Sequence, residues 1–168
     1  ALFAVILTIF LVSPYTLLMV QVGSIAIPFM WLHIVALLVL ISPLCSKAII
    51  NIRKTNVAYL AISIAVLAFI GTMLQHLTGN LLFQLMFGQP VGGYTVAIFA
   101  GYWNLIFFAY PVERVVMVII ATLIGLPLIK LLKKSALPFE DPTTDKALKG
   151  KPNNLLFFYL ISLYSFGK

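Results

Sequence analysis

The distribution of charge constrains the fold of this chain more than any other feature of its sequence. No charged residue precedes Lys47, and none lies between Lys54 and Glu113, so long apolar runs dominate the sequence. Hydrophobic residues make up 62% of the chain and charged residues 9%, against roughly 45–50% and about 25% in soluble domains. A soluble protein of 168 residues cannot bury so much apolar surface. The sequence therefore predicts an integral membrane protein.

The basic residues indicate membrane topology and not a nucleic-acid partner. Eleven Lys and Arg residues against four Asp and Glu residues give a net charge of +7, but they border apolar segments and form no single patch. This arrangement is typical of cytoplasmic loops beside membrane helices. We therefore expect the lipid bilayer to surround the chain and no nucleic acid to bind it.

The sequence lacks the common enzymatic and nucleotide-binding motifs. It has no HExxH, CxxC, nucleophile–base signature or Gly-rich phosphate loop. Its only cysteine, Cys45, excludes an intramolecular disulfide and a Cys-rich metal cluster. We expect a protein that is not an enzyme and that carries no cofactor or metal, and without a Walker motif it cannot hydrolyse ATP by itself.

The apolar runs predict an all-α bundle of about six transmembrane helices within residues 1–134. A helix that crosses the hydrocarbon core needs roughly 20 apolar residues. The first run has no basic n-region and no clear cleavage site, so we interpret it as a span and not as a signal peptide. The fourth span is short and is expected to be tilted or partly re-entrant. The predicted spans are 1–21, 28–45, 57–77, 78–89, 91–110 and 112–132.

The basic stretches then predict the orientation of the bundle. Residues 46–56 and 130–134 should both be cytoplasmic, which places the N-terminus inside a multi-pass protein of the cell membrane. Residues 135–154 are polar and are predicted to form a cytoplasmic loop. In the 155–168 tail, the apolar run 155–166 is too short for an ordinary span, so an interfacial or docked helix is favoured over a seventh crossing.

Small residues recur at helical spacing and predict the faces on which the helices pack. Three polar residues continue these stripes and should point into the bundle, whereas Glu113 lies about 100° around the helix from Arg114. The three stripes are Ala58, Ala61, Ala65, Ala68, Thr72 and His76; Gly93, Ala97, Gly101 and Asn104; and Arg114, Ala121 and Gly125.

The predicted topology gathers polar side chains at the outer ends of the helices, as expected of a pocket that fills from outside. Arg114 would hold an anionic group, polar residues of the neighbouring spans would supply hydrogen bonds, and Trp103 would stack on the solute. The alternatives are that Trp103 is an interfacial belt residue, that each His only packs, and that the two charges snorkel to the interface. The candidate substrate-binding residues are His33, His76, Asn80, Trp103, Asn104, Glu113 and Arg114.

Three segments suggest a family. The sequences GTMLQHLTGN at 71–80, YPVER at 110–114 and ATLIG at 121–125 resemble those of the substrate-binding S components of energy-coupling factor transporters, small membrane proteins of archaea and bacteria. The resemblance covers about residues 1–134. It implies a membrane-embedded binder of a vitamin or metal ion that works with a transmembrane coupling subunit and a pair of cytoplasmic ATPases. The pocket would face outward and be reoriented by toppling of the whole component.

Three functions follow from these features. The leading hypothesis is a substrate-capture subunit for uptake of a small solute. The alternative is a structural or accessory subunit of a larger membrane complex, in which the two charges pair with another chain. A third hypothesis is a membrane enzyme that uses His33 and His76 around a metal.

Overall fold

A computed structural model describes residues 2–54 and 56–134, and this part of the chain is mostly helical. The predictions for residues 135–154 and 155–168 lie outside the described residues. In chain order the elements are α1 (Leu2–Val12), β1 (Met19–Val22), β2 (Ile25–Pro28), α2 (Trp31–Ile41), α3 (Pro43–Asn51), α4 (Val57–Phe87) and α5 (Val96–Lys134).

The long helices α4 and α5 replace four of the predicted spans. Each is apolar and long enough to cross a membrane. The helix Val57–Phe87 runs without a break through the predicted boundary at 77/78, and Val96–Lys134 runs through the predicted boundary at 110–112, so these two boundaries were wrong. The α5 helix continues through Pro111 and Pro127, because neighbouring groups can satisfy the backbone carbonyl that a proline frees inside a membrane. Six crossings are therefore not confirmed.

The second predicted span is a bent helix pair. Helices α2 and α3 meet at Ser42 with a bend of 65°, and together they could form one broken span. The Ser42 side chain accepts a hydrogen bond from the Leu44 N–H, and Pro43 opens α3. A serine N-cap followed by proline starts a new helix at this point. The predicted loop 46–56 is consequently helical as far as Asn51.

The first predicted span is helical only to Val12, and the all-α prediction misses a small sheet. Pro14 follows the end of α1 and disfavours helical backbone at the residue before it. The chain then forms an antiparallel hairpin in which Met19 pairs with Pro28 and Val22 with Ile25. The turn between the strands contains Gly23 at φ 63°, where a residue with a side chain would be strained.

The α4 and α5 helices are antiparallel and pack along most of their length. Near the start of α4, Ile64 lies against Gly125, and further along Arg114 hydrogen-bonds the Thr72 carbonyl. At the basic end, the Lys133 ammonium donates to the Lys54 carbonyl at 2.7 Å. The two basic stretches of the sequence therefore lie at the same end of the helix pair, as the predicted topology requires.

Aromatic rings, and not small residues, fill the interior at the opposite end. The predicted stripe of Gly93, Ala97, Gly101 and Asn104 is exposed, so its assignment to the packing face was wrong. The buried face of α5 instead repeats at steps of four, four, three and four residues. Its members are Phe99, Trp103, Phe107, Tyr110 and Arg114.

The predicted packing faces of α4 and of the second half of α5 are confirmed only in part. In α4 the buried face is offset from the predicted one, so that Ala58 is exposed while His76 is half-buried. In α5 the predicted orientation of Arg114 and Gly125 is confirmed, since Arg114 is buried and a Cβ on Gly125 would lie 3.1 Å from the Ile64 Cγ2 atom. Small residues therefore let α4 and α5 pack closely where Gly125 meets Ile64. Toward the other end of the pair, aromatic side chains fill the space between the helices.

Candidate functional site

Three helices bring His33, His76 and Tyr110 into one ring cluster. The ring centroids of His33 and His76 lie 5.3 Å apart, with planes 18° from parallel. The Tyr110 ring lies 5.1 Å from that of His76 and 5.8 Å from that of His33. Since these residues come from α2, α4 and α5, the cluster exists only when all three helices are assembled.

Tyr110 also ties the cluster to the end of the β-hairpin. Its hydroxyl donates to the Phe29 carbonyl at 3.1 Å, and the two rings are 5.9 Å apart. Phe29 follows β2 directly and is fully buried. The hairpin is thereby held against the helices beside the two histidines.

Arg114 and Glu113 occupy different environments, as their angular separation on the helix predicts. The Arg114 side chain is 7% exposed and that of Glu113 58%, although the two are linked by a 2.6 Å contact between Nη2 and Oε1. The other terminal guanidinium nitrogen, Nη1, donates to the Thr72 carbonyl and to Gln75 Oε1, both at 3.3 Å. Arg114 is thus held against α4, one residue from His76.

Asn80 and Gln84 continue the face of α4 that carries His76, because residues four apart lie above one another on a helix. Both are buried, and Gln84 is only 2% exposed. The Gln84 Nε2 donates to Thr16 Oγ1 at 2.9 Å, and the Thr16 hydroxyl donates to the Phe10 carbonyl. The segment between α1 and β1 therefore covers the Gln84 end of this face.

Six buried side-chain atoms in the described residues have no hydrogen-bond partner there, and all belong to this region. Leaving a buried polar atom unpaired costs about 1–3 kcal/mol, so such atoms are rare in folded proteins. Six in one place make this region the candidate binding site of the described residues. They are His33 Nδ1 and Nε2, His76 Nδ1, Asn80 Nδ2, Gln84 Oε1 and Arg114 Nε. We call these five residues the polar cluster.

The structure does not bring Trp103 and Asn104 to the polar cluster as solute-binding groups. Trp103 is fully buried, its indole N–H donates to the Tyr15 carbonyl at 2.6 Å, and its ring is enclosed by other aromatic rings. Those rings belong to Phe10, Phe29, Phe83 and Phe99.

Asn104 lies on the exposed face of α5, where it donates to the Ala100 carbonyl one turn earlier. Its predicted inward orientation was wrong, because the aromatic side chains of α5 turn the neighbouring face inward.

Sequence reasoning missed two participants. Gln84 is absent from the predicted site residues, and its hydrogen-bond partner Thr16 lies 68 residues away in the sequence. Gln75 also went unselected, although it accepts from Arg114. Its polar amide inside an apolar helix was the available signal.

Within the described residues, the two histidines lack the additional ligands that a metal site needs. A structural or catalytic zinc takes three or four protein ligands. Within residues 2–54 and 56–134, no group of three or more His, Cys, Asp or Glu residues could hold a metal ion. The geometry in this part of the chain supplies hydrogen-bonding groups for a solute more readily than ligands for a metal.

The polar cluster lies far from the basic end of the helices. Arg114 precedes Lys130 by 16 residues, or about 24 Å at 1.5 Å per helical residue. His76 follows Val57 by 19 residues, or about 28 Å. These separations approach the full thickness of a hydrocarbon core, about 30 Å.

No protein-family model, curated protein or solved structure matches this chain.

Proposed function

We propose that this protein is a membrane-embedded subunit that captures a small solute for uptake. The observation that carries the proposal is the concentration of unpaired buried polar atoms in the polar cluster. A solute that pairs with these atoms removes a desolvation cost that the empty protein bears. The cluster is also assembled from three helices, which suits a site that must enclose its ligand.

The position of the polar cluster supports capture from the outer side. If the basic ends of α4 and α5 face the cytoplasm, as the positive-inside rule favours, the cluster lies near the outer boundary of the membrane. The proposed multi-pass arrangement also has a cytoplasmic N-terminus. This part of the proposal rests on the basic stretches of the sequence and not on α1, which has 11 residues, against the roughly 20 that a crossing helix needs. The features that carry this orientation are the shared basic end and the Lys133–Lys54 contact.

The resemblance to S components extends the proposal to partners. In this arrangement a second transmembrane subunit and a pair of cytoplasmic ATPases would supply the energy for uptake, since the chain carries no Walker motif. The solute would be vitamin-like or a metal ion. The hydrogen-bonding character of the polar cluster favours the organic solute over the ion.

The test is retention of a solute by the purified protein. The full chain should be purified in mild detergent, denatured, and the released small molecules identified by mass spectrometry. Arg114→Gln should release much less solute and reduce uptake in cells, whereas Asn104→Leu, on the exposed face of the same helix, should match the native chain. Absence of any released solute, together with normal uptake in Arg114→Gln cells, would sink the proposal.

A structural or accessory subunit of a larger complex is the second candidate. The exposed face of α5 favours it, because Ala97, Gly101 and Asn104 leave room for another helix and a Cβ on Gly101 would meet nothing within 4 Å. Small residues flanking a polar one are typical of helix contacts in membranes. Copurification with ATPases would support the uptake subunit, and copurification with a large membrane enzyme would support the accessory subunit.

A further inference from the structure

We infer that the solute is a small organic monoanion that carries an N–H or O–H group about 12 Å from its charged end, the distance spanned by eight helical residues. This inference rests on the proposed function and adds the chemical class of the solute. It follows from which atoms of the polar cluster remain unpaired and from where they lie along α4.

The end of the polar cluster near Arg114 offers hydrogen-bond donors. The free atom of the guanidinium is Nε, which can only donate. A neutral imidazole such as His33 donates through one of its two nitrogens and accepts through the other. The Asn80 amide nitrogen is an unpaired donor one helical turn beyond His76. A buried set of donors around one guanidinium matches a group that is rich in acceptor oxygens and negatively charged.

The charge balance at this end favours a single negative charge on the solute. Arg114 is the only buried cation among the described residues, and the Glu113 carboxylate at 2.6 Å already offsets part of its charge. Because the Glu113 side chain is 58% exposed, solvent screens part of its charge. A monoanion therefore leaves only a fraction of a charge uncompensated, whereas a dianion such as a phosphate monoester leaves more than one, and uncompensated charge is costly inside the membrane. A carboxylate fits both the charge and the donors.

The opposite end of the polar cluster offers an acceptor, and its orientation is determined by its neighbours. The Thr16 hydroxyl donates its one proton to the Phe10 carbonyl, so it must act as the acceptor in its hydrogen bond with Gln84. Only the NH₂ side of the Gln84 amide can donate that bond. The Oε1 atom therefore faces away from Thr16 and stays unpaired. An N–H or O–H group of the solute is the complement of this atom.

The spacing along α4 sets the distance between the two ends. Gln84 lies eight residues beyond His76 on the same face, which corresponds to about 12 Å along the helix axis. Arg114 contacts Gln75, the residue before His76. The solute thus extends along α4, with its anionic end toward the middle of the helix pair and its donor group toward the β-hairpin.

The experiment classifies the solute that is released from the purified full chain. Its carboxyl groups are counted by methylation with diazomethane, and its exchangeable N–H and O–H groups by deuterium exchange before mass spectrometry. One methylated acid group and at least one further exchangeable proton are expected. A released solute without an acid group overturns the inference and leaves the proposed function intact, whereas no released solute together with normal uptake by Arg114→Gln cells overturns both.

Variants test the two ends separately, with the released solute as the titrant and the shift of the unfolding midpoint as the readout. Arg114→Lys keeps the charge but loses the Nε donor, and Gln84→Met loses the acceptor at similar volume. Each should weaken the apparent affinity by about tenfold or more, the usual effect of one lost hydrogen bond inside a binding site.

Gln89→Met is the matched control for Gln84→Met, because it makes the same change at an exposed residue beyond the end of α4. It should bind the released solute within about twofold of the native chain. Equal losses in Gln89→Met and Gln84→Met would overturn the assignment of a donor group to the solute.

Discussion

Two adjacent residues of α5 show how strongly helical geometry separates neighbouring side chains. Glu113 extends to the surface and Arg114 lies inside, although their charged groups touch. The sequence predicts this difference from the small residues that share a face with Arg114. It could not predict the acceptors of Arg114, because Thr72 and Gln75 are brought opposite it by the antiparallel pairing of two long helices.

The Tyr110 hydroxyl gives a prediction for a single residue. Tyr110→Phe removes the donor to the buried Phe29 carbonyl and leaves that acceptor unpaired. We expect the free energy of unfolding to fall by about 1–2 kcal/mol. The measurement is the unfolding midpoint in detergent, compared with Tyr59→Phe, a change at a half-exposed ring. Equal effects of the two substitutions would contradict a role for the Tyr110–Phe29 bond.

Helix boundaries show where sequence reasoning ends at the scale of elements. A boundary between two spans was predicted at residues 89–91, and it lies between the end of α4 at Phe87 and the start of α5 at Val96. The predicted breaks near Thr78 and Pro111 do not exist. Both helices are longer than one bilayer crossing requires, and the predicted spans were cut to that length. The β-hairpin was missed since its strands are four residues each and lie inside an apolar run.

The packing faces were mispredicted for a related reason. Small residues mark close contacts only where two backbones approach, as Gly125 and Ile64 do. Beyond that crossing, rings such as Phe99 and Trp103 occupy the space between the helices. Periodicity gives the angle between stripes but not which stripe faces inward, and that choice depends on contacts from distant elements.

The crossing at Gly125 can be tested directly. Gly125→Val adds a branched side chain where the first added carbon already lies 3.1 Å from Ile64. We expect overpacking to destabilise the chain by about 1–3 kcal/mol. Gly101→Val is the control, because a Cβ there meets nothing within 4 Å. The comparison is made by thermal unfolding of both variants in the same detergent, and a larger loss in Gly101→Val would contradict the observed packing.

At the scale of the whole molecule, the antiparallel pair predicts opposite accessibility of its two ends. In a Cys45→Ala background, Val91→Cys should react with a membrane-impermeant thiol reagent in intact cells, whereas Arg53→Cys should react only after permeabilisation. Both positions are exposed, so burial does not limit the reaction. The reverse pattern would invert the proposed orientation, and outside labelling of both positions would contradict a single crossing between them.

Under the proposed function, the supply of solute affects the lifetime of the protein through the unpaired atoms of the polar cluster. An empty site carries the cost of His33, Asn80 and Gln84 without partners, and a ligand at about 100 times its Kd adds roughly 2.7 kcal/mol to the folded state. Cells starved of the solute should therefore degrade this protein faster than cells supplied with it, since proteolysis draws on the unfolded fraction. Pulse–chase half-lives should lengthen when the released solute is added to the medium, and Arg114→Gln should abolish that response. Scarcity of the solute would therefore appear as faster degradation of the protein, and a half-life would reveal it without a transport measurement.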